Sequence, residues 1–404
     1  MGSIEAIGID AITFSVPRSY LDLGDLAVAR GVAADKYRLG LGVSQMAIAA
    51  ADEDPVALAA GAGSRLLAAS GRDPSEIGFC AVGTETAVDH SKPVSSYVHG
   101  LLGLPSRCRV FETKHACFGA TAALLSATEW IASGAARGRA ALIIASDIAR
   151  YEIGSPGEPT QGAGAVAMLV SERPRLLELE VGRTGSFARD VHDFWRPLHR
   201  KDALVDGKFS VECYLDALGH AYRDWQEQAA GGEPLVRTCY HVPYGKMAHK
   251  AHRVRSSVDG LDEAAADRDF ELTVAPSLRF ASQVGNIYAG SLYLALASLL
   301  HAEAAALEGR RIGLFSYGSG CAAEFFAGRV AAGAAAMVAR LDLGAPLAPG
   351  ARARLTIPAY EALRRDDASA DRRASEVSSE RPFAFLGVDP AERRRYMSGI
   401  LRDG

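Results

Sequence analysis

Val110-Phe111-Glu112-Thr113-Lys114-His115-Ala116-Cys117-Phe118-Gly119-Ala120-Thr121-Ala122-Ala123 passes from an apolar run through a polar turn into an Ala-rich stretch. The pattern predicts a strand, a tight turn and a helix that begins at about Cys117. A thiol at a helix N-terminus faces unpaired backbone N–H groups and the positive end of the helix dipole, and both favour the nucleophilic thiolate. Gly119 and Ala120 leave the approach to it open. Cysteine is also a common small core hydrophobe, and Cys80, Cys108, Cys213 and Cys239 are read that way. Cys117 is set apart by its place in the strand–turn–helix pattern.

The same alternation extends along the chain. Short apolar, β-branched segments at residues 77–82, 107–111, 141–146, 163–170, 235–241 and 312–317 predict strands, several of them apolar on both faces. Ala-rich stretches of helical period lie between them, most clearly at 56–69, 119–133 and 287–301. Strands alternating with helices predict an α/β fold with buried sheets. Residues 184–207 mix aromatic, charged and Pro residues without a period and predict an irregular excursion. Residues 364–381 are polar and charged and predict an exposed loop. No exact internal repeat is visible.

A length of 404 residues exceeds one compact core and suits two halves of similar size. The hydrophobic fraction is 49%, the charged fraction 23% and the net charge −4. That balance argues against nucleic acid or an anionic membrane as a partner. No apolar run is read as reaching the roughly 18 to 20 residues of a membrane span, and the first residues show no signal-peptide pattern. The six cysteines form no CxxC pair, which argues against a metal site and against a disulfide framework. Scattered thiols predict a cytoplasmic protein.

Other segments place reactive side chains at predicted strand ends, where open α/β sheets bind ligands. His241, in Cys239-Tyr240-His241-Val242-Pro243, is either a satisfied core histidine or a group that handles a proton near neutral pH. Glu85, in Gly83-Thr84-Glu85-Thr86, either solvates a strand exit or serves as a general acid or base with a raised pKa. Val284-Gly285-Asn286-Ile287-Tyr288 and Ser316-Tyr317-Gly318-Ser319-Gly320 are glycine turns that either cap and bend the chain or bring polar groups against a carbonyl. Lys246 and Lys250 share one helix face, as do His249 and Arg253. That basic face is either solvated or meets the phosphates of an acyl carrier.

Taken in order, these motifs resemble those of the 3-hydroxy-3-methylglutaryl-CoA synthases of the thiolase superfamily, bacterial type. The likeness runs from about residue 5 to about residue 330. It is carried by residues 36–42, 53–54, 84–86, 114–122, 146–151, 155–170, 193–197, 204–207, 240–250, 284–293 and 315–326. The resemblance implies a five-layered αβαβα fold made of two similar halves, at 1–172 with the cysteine and at 173–345 with His, Asn and the glycine turns. A C-terminal extension at 346–404 would follow. It implies that Cys117 takes an acetyl group from acetyl-CoA, that Glu85 removes a methyl proton from it, and that His241 binds and polarises the acetoacetyl thioester. Asn286, Tyr288 and Ser319 would line the acyl site. Tyr151, Asp147, Asp193 and Phe194 would shape the cysteine pocket, and Lys246 and Lys250 would meet the phosphates of coenzyme A. A homodimer, no metal and no permanently bound cofactor are implied, with coenzyme A thioesters as substrates.

The sequence departs from the family pattern at Gly83, where Ala is expected, at His115, where Gln or Glu is common, and beyond about residue 345. Two other activities use the same residues. One is a relative acting on β-ketoacyl chains held by acyl carrier protein in polyketide β-branching. The other is a decarboxylating type III ketoacyl synthase, for which Cys117, His241 and Asn286 would suffice and Glu85 would not be needed. Retention of both Lys246 and Lys250 favours free coenzyme A, because a phosphopantetheine arm lacks the 3′-phosphate. A scaffold without activity would leave the three reactive residues unexplained.

Overall fold

The computed structural model describes residues 6–229, 232–366 and 382–398. Nine strands form one mixed sheet: β1 (Ile7–Ser15), β2 (Ile77–Gly83), β3 (Arg109–Thr113), β4 (Ala140–Ala149), β5 (Gly162–Glu172), β6 (Leu177–Ala188), β7 (Arg237–Tyr240), β8 (Arg311–Gly318) and β9 (Ala322–Val330). Their order is β7-β8-β9-β6-β1-β5-β4-β2-β3. The two halves of the sheet meet where Ile7, Gly8 and Ile9 of β1 pair with Leu179, Glu178 and Leu177 of β6. β2 runs parallel to both β3 and β4, and β7 runs parallel to β8. Each half therefore carries parallel strands whose C-terminal ends can present loops to a common site.

Helices separate and cover the two halves. α1 (Pro55–Ser70) packs on β1, β4 and β5. It is capped by Asp54, whose side chain accepts from Ala57 N–H, and by Gly71 in the left-handed region. α2 (Gly119–Ala132) packs on β2 and β4 and reaches across to β8, where Thr121 Oγ1 donates to Ser316 Oγ at 2.7 Å. α3 (Gly207–Gln228) covers β6, β8 and β9, and α4 (Gly245–Val258) packs against α3. α5 (Ser291–Leu307) packs on β7 and β8 beside α2. The layers are thus outer helix, sheet, the inner helices α2 and α5, sheet, outer helix. α6 (Ile357–Asp366) follows the second half.

The core explains why the strands with apolar faces on both sides were legible. Every residue of β4 is buried, as are all but the last of β5, because helices cover both faces. α5 is apolar on nearly all sides for the same reason. The run Tyr288–Leu307 is in fact long and apolar enough to cross a membrane by length and composition, which corrects the reading of no such run; most of it is buried between the layers.

Other boundaries differ from expectation. Residues 288–290 form a 3₁₀ turn, so the helix expected from 287 starts at Ser291. The excursion expected over 184–207 is shorter, because residues 184–188 extend β6 and pair with β9. Its remainder holds only the small ladder Phe194–Trp195 with Leu204–Val205. In the segment expected as an exposed loop, residues 364–366 end α6, and 367–381 lie outside the described residues.

Candidate active site

Cys117 sits in the turn between β3 and α2, two residues before the helix begins. Ala116 takes a left-handed φ of 40° to make that turn, and Phe118 N–H closes it on His115 O at 2.8 Å. The fit around the turn is close. A Cβ on Gly83, at the end of β2, would lie 2.2 Å from Ala120 N, and one on Gly318 would lie 2.7 Å from Phe118 N. Glycine at these positions lets a strand end from each half press against the cysteine turn.

Glu85 follows β2 directly, and the Cys117 thiol donates to its Oε1 at 3.7 Å. Asp147, at the end of the neighbouring β4, shapes the loop that carries Glu85. Its Oδ1 accepts from Thr84 Oγ1, Glu85 N–H, Thr86 N–H and Thr86 Oγ1 at 2.8 to 3.0 Å. Its Oδ2 accepts from Ala289 N–H at 3.1 Å. Asp147 therefore joins the glutamate loop to the Asn286–Tyr288 turn of the other half. Burial, and then the Asp147 charge, push the Glu85 carboxyl well above the ordinary carboxylate range, against the pull of Arg196. Burial raises Asp147 as well, opposed by the hydrogen bonds it accepts.

These carboxylates revise the expected state of the thiol. Burial first, then the charges of Glu85 and Asp147, raise the Cys117 pKa well above its ordinary value. The helix N-terminus does not produce a resting thiolate here, because burial, reinforced by two acidic groups, favours the neutral thiol.

His241 follows β7, with its N–H on Phe315 O at 2.8 Å and its carbonyl accepting from Tyr214 OH at 2.9 Å. The ring is buried, Nδ1 has no hydrogen-bond partner among the described residues, and burial depresses the pKa to about 3. It is a neutral imidazole with a free nitrogen, not a satisfied core histidine. Asn286 does not cap α5. Its Oδ1 accepts from Tyr288 N–H and Ser291 Oγ, both at 2.9 Å, so its carbonyl is committed within the turn. Tyr288 has a left-handed φ of 45° and is buried.

Aromatic rings wall the pocket. Phe194 lies edge-on to Tyr288 and to Tyr151, with ring centroids 5.8 and 6.3 Å apart. Asp193, fully buried, accepts from Tyr317 OH at 2.7 Å and from Gly320 N–H at 2.9 Å. It braces the turn that carries Ser319, and its charge also acts on Cys117 and His115. His115 hydrogen-bonds the Ser319 backbone, and burial lowers its pKa. Lys246 and Lys250 are exposed on α4 and meet no carboxylate among the described residues. The neighbouring His249 and Arg253 both pair with Asp267, at 2.9 and 2.7 Å, and do not extend a free basic face.

Two functional features escaped the sequence reading. Arg196 donates to Glu85 O and stands 4.0 Å from Glu85 Oε2. Its signal was a lone cation in the aromatic run Phe194-Trp195-Arg196-Pro197. Thr121 ties α2 to Tyr293 OH as well as to Ser316, each at 2.7 Å. Among the described residues no group of three His, Cys, Asp or Glu side chains could hold a metal ion.

A buried thiol in contact with a carboxyl of raised pKa is an arrangement for acyl transfer followed by removal of a carbon-bound proton. The family model for the N-terminal part of hydroxymethylglutaryl-coenzyme A synthase matches residues 4–174, and the C-terminal model matches 177–269 and 258–363. The chain belongs to the hydroxymethylglutaryl-CoA synthase family. It is therefore an acyltransferase of the condensing kind with a thiolase-like fold. It is 40% identical over 332 residues to the hydroxymethylglutaryl-CoA synthase of Enterococcus faecalis, covering 81% of this chain and 84% of that one. It is 34% identical over 341 residues to PksG of Bacillus subtilis, a polyketide biosynthesis 3-hydroxy-3-methylglutaryl-ACP synthase, with 80% and 79% covered. The solved structure of MvaS in complex with 3-hydroxy-3-methylglutaryl coenzyme A superposes with a TM-score of 0.91 at 47% identity, covering 98% of this chain and 99% of that one.

Proposed function

We propose that this synthase joins an acetyl group carried on Cys117 to C3 of an acetoacetyl thioester and releases 3-hydroxy-3-methylglutaryl thioester. Cys117 attacks the carbonyl of acetyl-CoA, coenzyme A leaves as its thiol, and an acetyl-cysteine thioester remains. Glu85 takes a methyl proton from that acetyl group. The resulting enolate forms the new bond to C3 of acetoacetyl-CoA. The C3 oxygen becomes an alkoxide, the neutral His241 ring donates a hydrogen bond to it, and the proton that Glu85 took from the methyl group ends on that oxygen, which restores the carboxylate. Water then cleaves the Cys117 thioester and restores the thiol.

The observation that carries this reading is the contact between the Cys117 thiol and a carboxyl whose pKa is raised by burial. A decarboxylating synthase makes its enolate by losing CO₂ and needs no such base. Asn286, Tyr288 and Ser319 line the acyl site, while Tyr151, Phe194, Asp147 and Asp193 hold its walls and loops. Lys246 and Lys250, which meet no carboxylate among the described residues, favour coenzyme A as the carrier. A carrier-protein acceptor is the second reading, supported by the likeness to PksG. The reading includes a cytoplasmic homodimer; β3, bonded on one side only among the described residues, offers a sheet edge for a second copy. The division at about residues 172 and 345 belongs to the same proposal.

Incubation with acetyl-CoA followed by intact mass measurement tests the first step. Wild type should gain one acetyl group and Cys117→Ser none. Equal adduct on both would remove Cys117 from the mechanism. Loss of acetoacetyl-CoA enolate absorbance tests the second step, and acetoacetyl chains on carrier protein test the alternative acceptor.

A further inference from the structure

We infer that Tyr360 and Arg364 of α6 are positioning residues for the proposed condensation, holding Tyr151 in the wall beside Cys117 and Glu85. The inference rests on that functional reading but concerns a segment outside the reactive loops. Between β4 and the 3₁₀ turn Glu158–Thr160 the chain forms no strand or helix. Side chains therefore fix the backbone of Tyr151. Its N–H donates to Gln161 Oε1 at 3.0 Å, and its carbonyl accepts from Arg364 at 2.9 Å.

Both bonds lead back to α6. Gln161 Nε2 donates to Tyr360 OH at 2.9 Å, and Tyr360 OH donates to Glu158 Oε1 at 3.1 Å. Arg30 closes the cluster, gripping Glu158 through two nitrogens at 2.8 Å and Glu361 through a third contact at 2.8 Å. Tyr360, Gln161 and Glu158 are all buried, so loss of the Tyr360 hydroxyl removes one of the two acceptors of Gln161 Nε2 and one of the donors to Glu158 Oε1. Arg364 also donates to Asp202 at 3.0 Å. Asp202 belongs to the excursion that supplies Phe194 and Arg196, so one guanidinium ties together both loops that wall the pocket.

The consequence reaches Glu85 through water. Cys117, Asp147, Arg196, Tyr151 and Tyr288 are the titratable and charged groups around it. A Tyr151 wall held in place keeps the carboxyl dry; a loosened wall admits solvent. Small misplacements of a pocket wall cost up to about a hundredfold in rate.

The test compares Arg364→Gln, Tyr360→Phe and Arg365→Gln. Arg365 is the control: it lies on the same helix, loses the same charge, and among the described residues contacts Glu361, through its carbonyl and at 3.9 Å through its carboxylate, and neither Tyr151 nor Asp202. Arg364→Gln should lower kcat about tenfold or more while KM for acetyl-CoA moves far less. The acid limb of its kcat–pH profile should shift to lower pH, because a hydrated Glu85 relaxes toward the ordinary carboxylate range. Tyr360→Phe should shift the limb in the same direction by less, and it serves as the test if Arg364→Gln does not fold. Arg365→Gln should match wild type. A second readout needs no condensation: the pH dependence of Cys117 alkylation by iodoacetamide should also move down in Arg364→Gln. If wild type fails to condense, the functional reading falls and the alkylation profile still decides the positioning role. Unchanged pH profiles in both variants, or an equal shift in Arg365→Gln, would overturn it.

Discussion

Replacing Glu85 with Gln should separate acylation from condensation, because the two steps use the carboxyl differently. In acylation its removal has opposing effects. The thiol loses its nearest proton acceptor, 3.7 Å away. It also loses the charge that, after burial, does most to raise its pKa. The acetyl adduct should therefore form within a few-fold of the wild-type rate. Condensation has no such compensation. The methyl protons of an acetyl thioester are very weakly acidic, nothing leaves as CO₂, and the other nearby carboxylate, Asp147, is committed to five hydrogen bonds with its loop and with Ala289. A positioned base typically contributes about 10²- to 10⁴-fold, so condensation should fall by that factor, roughly 3–5 kcal/mol in activation free energy. The assay is paired on one preparation: acetyl-Cys117 by intact mass, and acetoacetyl-CoA consumption by enolate absorbance. A Gln variant that condenses within threefold of wild type would refute the base assignment. One that fails to acetylate would make Glu85 the base for the thiol instead. The same substitution should stabilise the fold. The folded-state pKa is raised, so wild type loses stability as pH climbs from the ordinary carboxylate value, about 4.3, through the raised one, while Gln does not. Urea midpoints should diverge in favour of the variant over that window and converge below it.

The double variant Lys246→Ala/Lys250→Ala should raise KM for acyl-CoA and spare kcat, with about 1 kcal/mol lost per exposed contact at low salt; an unchanged KM would remove the phosphate assignment. His241 is depressed to about 3 in the folded protein, so its ordinary value of about 6.5 in the unfolded chain makes wild type lose stability as pH falls between the two. His241→Phe should flatten that loss in urea titrations at several pH values, and equal slopes would contradict a buried neutral ring. Gly83→Ala would set a Cβ 2.2 Å from Ala120 N and 2.4 Å from Ala120 Cα, backbone that cannot swing away. Overpacking of this kind costs about 1–3 kcal/mol, so the melting temperature should drop and acetylation of Cys117 should slow.

The sequence made the proposed reactive residues legible because each follows the C-terminal end of a short strand, fully buried in β2, partly exposed in β3 and mostly buried in β7. Glu85 follows β2, Cys117 follows β3 and His241 follows β7, and all three strands were visible as short apolar runs. What remained hidden depends on pairing across the chain. β6 is half exposed and carries charges, so its place at the junction of the halves has no local signature. The state of the thiol was misjudged because a helix N-terminus is a local feature, whereas the carboxylates that oppose it arrive from β2 and β4. Arg196 and the α6 clamp were invisible for the same reason: their partners lie 111 and 213 residues away.

Burial moves the acid and the base of this site toward one working state. A carboxyl in water is too weak a base to take a carbon-bound proton, and an imidazole in water near neutral pH is partly protonated before any alkoxide exists. Removing solvent raises Glu85, making it a stronger base near neutral pH, and lowers His241, keeping it neutral in the resting enzyme. The cost falls on the nucleophile, since the same dry pocket and its two carboxylates hold the thiol protonated. Acylation then requires the substrate to bring its own electrostatics. An acyl-CoA that closes the pocket and presents its carbonyl lets the thiol proton pass to Glu85 as the thioester forms. In the proposed sequence the base must then release that proton before it can take one from the methyl group, and the thiolate of the departing carrier is the group that receives it.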